Sequence, residues 1–289
     1  MHQGLVPIKP DQLLDDETRE FYCHALSELT LAGVPYLVGG AYAFERYTGI
    51  ARHTKDLDIF VREADCQHAL AALEAAGCRG EITFAHWLAK AYCGDHFVDI
   101  IFSSGNGASP VDDEWFEHAV DETVLGIPAR LVPAEEMIWQ KALIMERERF
   151  DGADVAHLLR ARGSWLDWDR LLRRFGQHWP VLLSHLVLFS FIYPAERAQI
   201  PASVMRDLLD RQARVSAAAA SINQCGTADQ VCNGTILSRT QYLVDVEQWG
   251  YRDARIAPFG LMTVDDAACW TEAGKAEAAP GATPASVSA

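Results

Sequence analysis

Three aspartates lie inside otherwise apolar stretches, where an ionised carboxylate costs free energy unless something compensates it. They are Asp56 and Asp58 in the run Asp56-Leu57-Asp58-Ile59-Phe60-Val61, and Asp99 in Val98-Asp99-Ile100. Side chains alternate across a strand, so Asp56 and Asp58 project from one face, roughly 6 to 7 Å apart along the chain. If the strand carrying Asp99 is their neighbour, the third carboxylate points at the same spot. Three converging carboxylates repel one another. The simplest compensation is a divalent cation that prefers hard oxygen ligands, which means Mg²⁺ or Mn²⁺. The competing structural account makes Asp56 and Asp58 a capping pair at a turn, and Asp99 part of the acidic surroundings of a hairpin that also holds Asp95.

A second feature gives this cluster a substrate. Gly39-Gly40 closes the short apolar run Pro35-Tyr36-Leu37-Val38 and opens the helical stretch Ala41 to Tyr47. A glycine pair at a strand-to-helix turn presents backbone N–H groups at the positive end of a helix dipole, where phosphate binds well. Gly-Gly by itself marks many turns, so its meaning comes from the carboxylates near it. A metal site and a phosphate site together suggest a nucleoside triphosphate. Arg52 and Lys55, just before the Asp56 strand, are placed either to meet phosphates or to balance the carboxylates.

The elements that must position these residues follow from periodicity and punctuation. Asp15 and Asp16 open a helix with apolar Phe21, Ala25 and Leu29, stopped at Gly33. A strand at 35–38, the glycine turn and a helix ending at Gly49 come next. The strand at 56–61 leads into an alanine-rich helix, Glu63 to Ala76, stopped at Gly77. Trp87 to Cys93 and Phe97 to Phe102 flank Gly94-Asp95-His96 as a hairpin. Ser103 to Pro110 is a loop by composition.

In order and spacing, Val38-Gly39-Gly40, Asp56-Leu57-Asp58 and a later strand with Asp99 resemble the nucleotidyltransferase fold of the polymerase-β-like superfamily, over roughly residues 20 to 160. The resemblance implies an α/β domain with a mixed sheet and flanking helices, followed by a mainly helical C-terminal domain that closes the acceptor side of the cleft. It implies that Asp56 and Asp58 hold the ions that bind the triphosphate. Asp99 then shares one of them and helps to activate the attacking group. The segment Pro133 to Leu159 is similar to the region after the sheet in uncharacterised bacterial nucleotidyltransferases and abortive-infection type toxins, through Pro133-Ala134-Glu135-Glu136, Lys141 and Asp151-Gly152-Ala153-Asp154. Lys141 shares a helical stripe with Met137, Ile138, Ile144 and Met145. It either seeks an anion, by resemblance the triphosphate, or snorkels to solvent. Asp151 and Asp154 have the spacing of a helix start.

After Pro133 the periodic segments are helical. The expected organisation is a catalytic domain over 1–130, a helical domain over 131–270 and a disordered tail over 271–289, rich in Ala, Pro, Ser and Gly. Trp165 to Trp179, with Arg170, Arg173 and Arg174, reads as an amphipathic packing helix rather than an RNA-binding patch, and Thr235 to Arg255 as a late hairpin or arm.

Composition narrows the partners. The 289 residues are 49% hydrophobic and 22% charged, with a net charge of -15, so the chain as a whole repels polyanions. Residues 1–130 carry 9 basic and 21 acidic side chains (net -12), and the remainder 16 and 19 (net -3). No apolar run reaches the roughly 18 to 20 residues of a membrane span, and Met1 to Pro10 has no secretory pattern. The expectation is a cytoplasmic protein whose seven scattered cysteines are reduced thiols.

The function expected is transfer of NMP from an NTP to an acceptor, preferably a small cationic molecule. A toxin-type enzyme acting on tRNA or protein, with an antitoxin partner, is the first alternative. A non-catalytic nucleotide-binding module is the second.

Overall fold

The computed structural model describes residues 14–52, 54, 56–222 and 230–277. Two compact units are formed, Met1–Pro133 with Met262–Ala289, and Ala134–Leu261.

The first unit is built in chain order from α1 (Asp16–Leu31), β1 (Leu37–Val38), α2 (Gly40–Thr48), β2 (Leu57–Phe60), α3 (Glu63–Ala75), β3 (Arg79–Phe84), β4 (Leu88–Cys93), β5 (His96–Ile101), α4 (Asp113–Glu117), β6 (Val120–Val124) and β7 (Ile127–Leu131). Local chemistry sets several boundaries. Asp15 caps α1 by accepting the Thr18 N–H at 2.8 Å, and Gly49, at φ +71°, ends α2 in the left-handed conformation. The strands form one seven-stranded mixed sheet, ordered β3-β4-β5-β2-β1-β7-β6. β2 pairs in parallel with β5, and β1 in parallel with β7, while the other neighbours are antiparallel. Leu37, Val38, Leu57, Ile59, Val98 and Ile100 are buried, and these central strands are the hydrophobic centre of the unit.

Two parts of the sheet are not predicted by the periodicity of the sequence. β3 is an edge strand whose residues are half-buried or exposed, so it lacks a clean apolar alternation. The β6–β7 hairpin turns at Leu125 and Gly126, both at positive φ, and its edge strand is mostly polar while β7 contains Pro128. A proline inside a strand is a signal against one.

Cys78 and Cys93, expected as separate thiols, form a disulfide. The antiparallel register that sets Arg79 opposite Tyr92 brings the two flanking cysteines together, with a Cα–Cα distance of 4.6 Å. Spacing along the chain gave no hint of this pairing. Cys23, Cys66, Cys232 and Cys269 are thiols.

The second unit contains α5 (Ala134–Ala142), α6 (Gly152–Arg162), α7 (Trp168–Phe175), α8 (Trp179–Ile192), α9 (Ala202–Ile222), β8 (Val231–Cys232), α10 (Gly234–Leu237), α11 (Leu243–Glu247) and β9 (Arg252–Asp253). β8 and β9 pair in parallel, and the stretch 235–255, expected as a late hairpin or arm, holds two short helices and the second of these strands. Contrary to the expectation from apolar runs, one helical stretch, Trp168–Ile192, is long and apolar enough by length and hydropathy to cross a membrane. Leu182, Leu183, Leu186 and Phe189 of this stretch are buried within the unit, where α8 packs on α5, α6 and α9.

The last helix, α12 (Val264–Glu277), belongs to the first unit and takes in residues 271–277 of the stretch expected as a tail. Trp270 anchors it, with its ring centroid 5.0 Å from Phe84 and 5.3 Å from Trp87. The rest of the expected tail lies outside the described residues.

Candidate active site

The parallel pairing of β2 with β5 puts Asp58 directly beside Asp99, because Leu57 is in register with Val98 and Asp58 with Asp99. Asp56 precedes β2 by one residue and shares the face of Asp58. One carboxylate oxygen from each aspartate comes within 4.8 Å of the other two, and all three residues are buried. Thr54 donates its hydroxyl to Asp56 Oδ1 at 2.6 Å and orients that carboxylate. A cluster of three buried oxygen donors of formal charge -3 is the set that suits a hard divalent cation.

The glycine pair is required by close approach to this cluster. Gly39 donates its backbone N–H to the Asp58 carbonyl oxygen at 3.0 Å. A Cβ on Gly40 would sit 1.8 Å from Asp58 Oδ2, and Gly40 has φ +51°. Only glycine lets the start of α2 come so near the carboxylate. A Cβ on Gly39 would meet the Phe60 ring at 2.2 Å. Gly39, Gly40, Asp56, Asp58 and Asp99 therefore converge as expected from sequence.

Lys90, not among the residues predicted from sequence, joins this cluster. It lies on β4 in register with Asp99 on β5, so Lys90, Asp99 and Asp58 form one row across three adjacent strands. Lys90 Nζ is 2.7 Å from Asp99 Oδ1, and both side chains are buried. The ammonium also lies 4.3 Å from the centroid of the Phe97 ring. A lysine in the otherwise apolar alternation Leu88-Ala89-Lys90-Ala91 is the same kind of signal that singled out Asp99.

Burial dominates the electrostatics of the row. It pushes the Asp99 carboxyl up to about 6, against the opposing pull of Lys90 and with a smaller push from Asp56. Tyr22 of α1 is fully buried. Its phenol is raised by burial first, then by Tyr42 and the charges of the three aspartates.

The other predicted ligands have different surroundings. Arg52 lies with its guanidinium 4.5 Å from the centroid of Phe44, a residue of α2. Lys55 lies outside the described residues. Lys141 belongs to the second unit and is 3.1 Å from Asp151 Oδ2 and 3.0 Å from Asp154 Oδ2. The anion sought by this buried lysine is thus supplied in its own unit by two carboxylates. Asp151 does not cap α6 with its side chain. Burial raises its carboxyl, but hydrogen bonds and charge from Arg149 and Lys141 outweigh this and hold it down at about 2.

On α7, Arg170 pairs with Glu136 at 2.6 Å and with Glu135 at 2.7 Å, and Arg174 pairs with Glu136 at 3.1 Å. These ion pairs are buried inside the helical unit.

The profile of the family described as uncharacterised nucleotidyltransferase matches residues 26–185, more than half of the chain. No curated protein matches. Among solved structures, the antibiotic-resistance factor ANT(2'')-Ia in solution aligns at 18% identity over 60% of this chain and 98% of that one, with a TM-score of 0.40. The lincomycin-bound lincosamide antibiotic adenylyltransferase LnuA aligns at 16% identity over 50% and 96%, with a TM-score of 0.36. JHP933 from Helicobacter pylori aligns at 14% identity over 71% and 99%, also with a TM-score of 0.36.

Proposed function

This chain belongs to the uncharacterised nucleotidyltransferase family, and from that premise we propose that it transfers NMP from an NTP to an acceptor at Asp56, Asp58 and Asp99. The observation that carries this reading is the convergence of three buried carboxylates, with donor oxygens within 4.8 Å of one another, inside the segment that the family profile spans.

Asp56 and Asp58 offer the oxygens that would hold Mg²⁺ or Mn²⁺. Bound there, such an ion supplies charge neutralisation for the triphosphate and a lowered pKa for the attacking hydroxyl. Asp99, its basicity raised by burial, takes the proton of that hydroxyl. The hydroxyl oxygen bonds to the α-phosphorus as the bond to the leaving pyrophosphate breaks. Gly39 and Gly40 bring the start of α2 to the same spot, where its N–H groups favour phosphate.

For the acceptor, two observations favour a small cationic molecule. The first 130 residues carry a net charge of -12, which attracts a polycation and repels RNA. Two arginines of α7 that a tRNA would use, Arg170 and Arg174, are bound to buried glutamates. A toxin-type enzyme acting on tRNA or protein remains the second reading, and a nucleotide-binding module without turnover the third.

The test is calorimetric titration with each Mg-NTP in turn. Wild type should bind one of them, and Asp56→Ala with Asp58→Ala should not; equal binding by both proteins would sink the proposal. Asp99→Asn should keep nucleotide affinity and lose about 10²- to 10⁴-fold in turnover. Labelled NMP should move onto hydroxyl-bearing polycationic small molecules of the aminoglycoside type rather than onto total RNA. Transfer to RNA alone favours the toxin reading, and binding without transfer to any acceptor favours the module.

A further inference from the structure

Lys90 is a full positive charge built into the carboxylate row. It reaches the row across the sheet from Asp58, with Asp99 between them. Its ammonium sits at ion-pair distance from Asp99 Oδ1 and over the face of Phe97, in a position that is buried on the β4 side. The three aspartates carry a formal charge of -3, and Lys90 brings the cluster to -2, which a single divalent ion balances. A cation held in low dielectric beside a carboxylate competes directly with any second cation for that carboxylate.

We propose that Lys90 is the resident cation of Asp99. The nucleotide-free protein then takes one divalent ion, at Asp56 and Asp58, and Lys90 keeps a second one off Asp99. Lys90 is thus a positioning residue that decides how many ions the acidic cluster holds. This inference rests on the reading of the three aspartates as a metal site.

The experiment counts bound Mn²⁺ per chain at pH 7.5 without nucleotide, from the loss of the free-ion signal in electron paramagnetic resonance. Wild type should saturate at one ion. Lys90→Met, which keeps the length of the stem and removes the charge, should saturate at two, and Lys90→Arg should return to one. Two ions on wild type, or one ion on Lys90→Met, overturns the assignment of Lys90 while leaving the metal site standing. No Mn²⁺ on either protein overturns the metal site itself and this inference with it. Lys90→Ala repeats the count if circular dichroism shows Lys90→Met to be unfolded, and the wild-type count decides against the proposal on its own if it is two.

Discussion

Single side chains at the site are held to tight tolerances. Gly40→Ala would place a Cβ against Asp58 Oδ2 at a positive φ, so the carboxylate must turn away. At the metal site proposed for Asp58, loss of such a supporting position should weaken Mn²⁺ binding by about 10- to 100-fold, which titration of the variant checks. The helical unit offers a separate case in Asp151, whose folded-state carboxyl is held at about 2, below its ordinary value of 3.8. A depressed carboxylate stabilises the fold above its unfolded pKa, and that contribution is lost as the pH falls through the folded value. The shift corresponds to about 2 kcal/mol. Asp151→Asn should therefore lose stability of that order at pH 7, and the difference from wild type should shrink between about pH 4 and pH 2 in acid-titrated urea melts.

At the level of elements, the β3–β4 hairpin forms one edge of the sheet and carries Lys90 on its inner strand. β3 has little buried apolar surface to hold it there. The Cys78–Cys93 disulfide closes this hairpin across a sequence separation of 15. A loop of that size is stabilised by about 3 kcal/mol through loss of unfolded-state entropy. Cys78→Ser should cost stability of that order, and amide exchange over residues 79–84 should accelerate more than over β2 and β5. Equal exchange in oxidised and reduced protein would show that packing alone holds the edge.

On the scale of the whole molecule, the chain leaves the α/β unit at Pro133 and re-enters it at Met262. The returning helix α12 is fixed by Trp270 against Phe84 and Trp87, so the unit is completed only by residues from the far end of the chain. Gly105 makes room for this ring, since a Cβ there would lie 2.4 Å from Trp270. Trp270→Ala should destabilise the α/β unit by about 3 to 5 kcal/mol, read from the denaturation of that unit by near-ultraviolet circular dichroism.

The sequence by itself determined which carboxylates and which glycines come together. Charge inside apolar strands and a Gly-Gly turn are local signals, because burial of a carboxylate is unfavourable wherever the strand sits. They located Asp56, Asp58, Asp99, Gly39 and Gly40, along with the helices and strands that carry them. Cross-strand register is a long-range property, and it alone decided that Lys90 faces Asp99 and that Cys78 meets Cys93. The polar edge strands β3 and β6 and the return of α12 were hidden for the same reason. Their partners, rather than their own residues, supply most of what stabilises them.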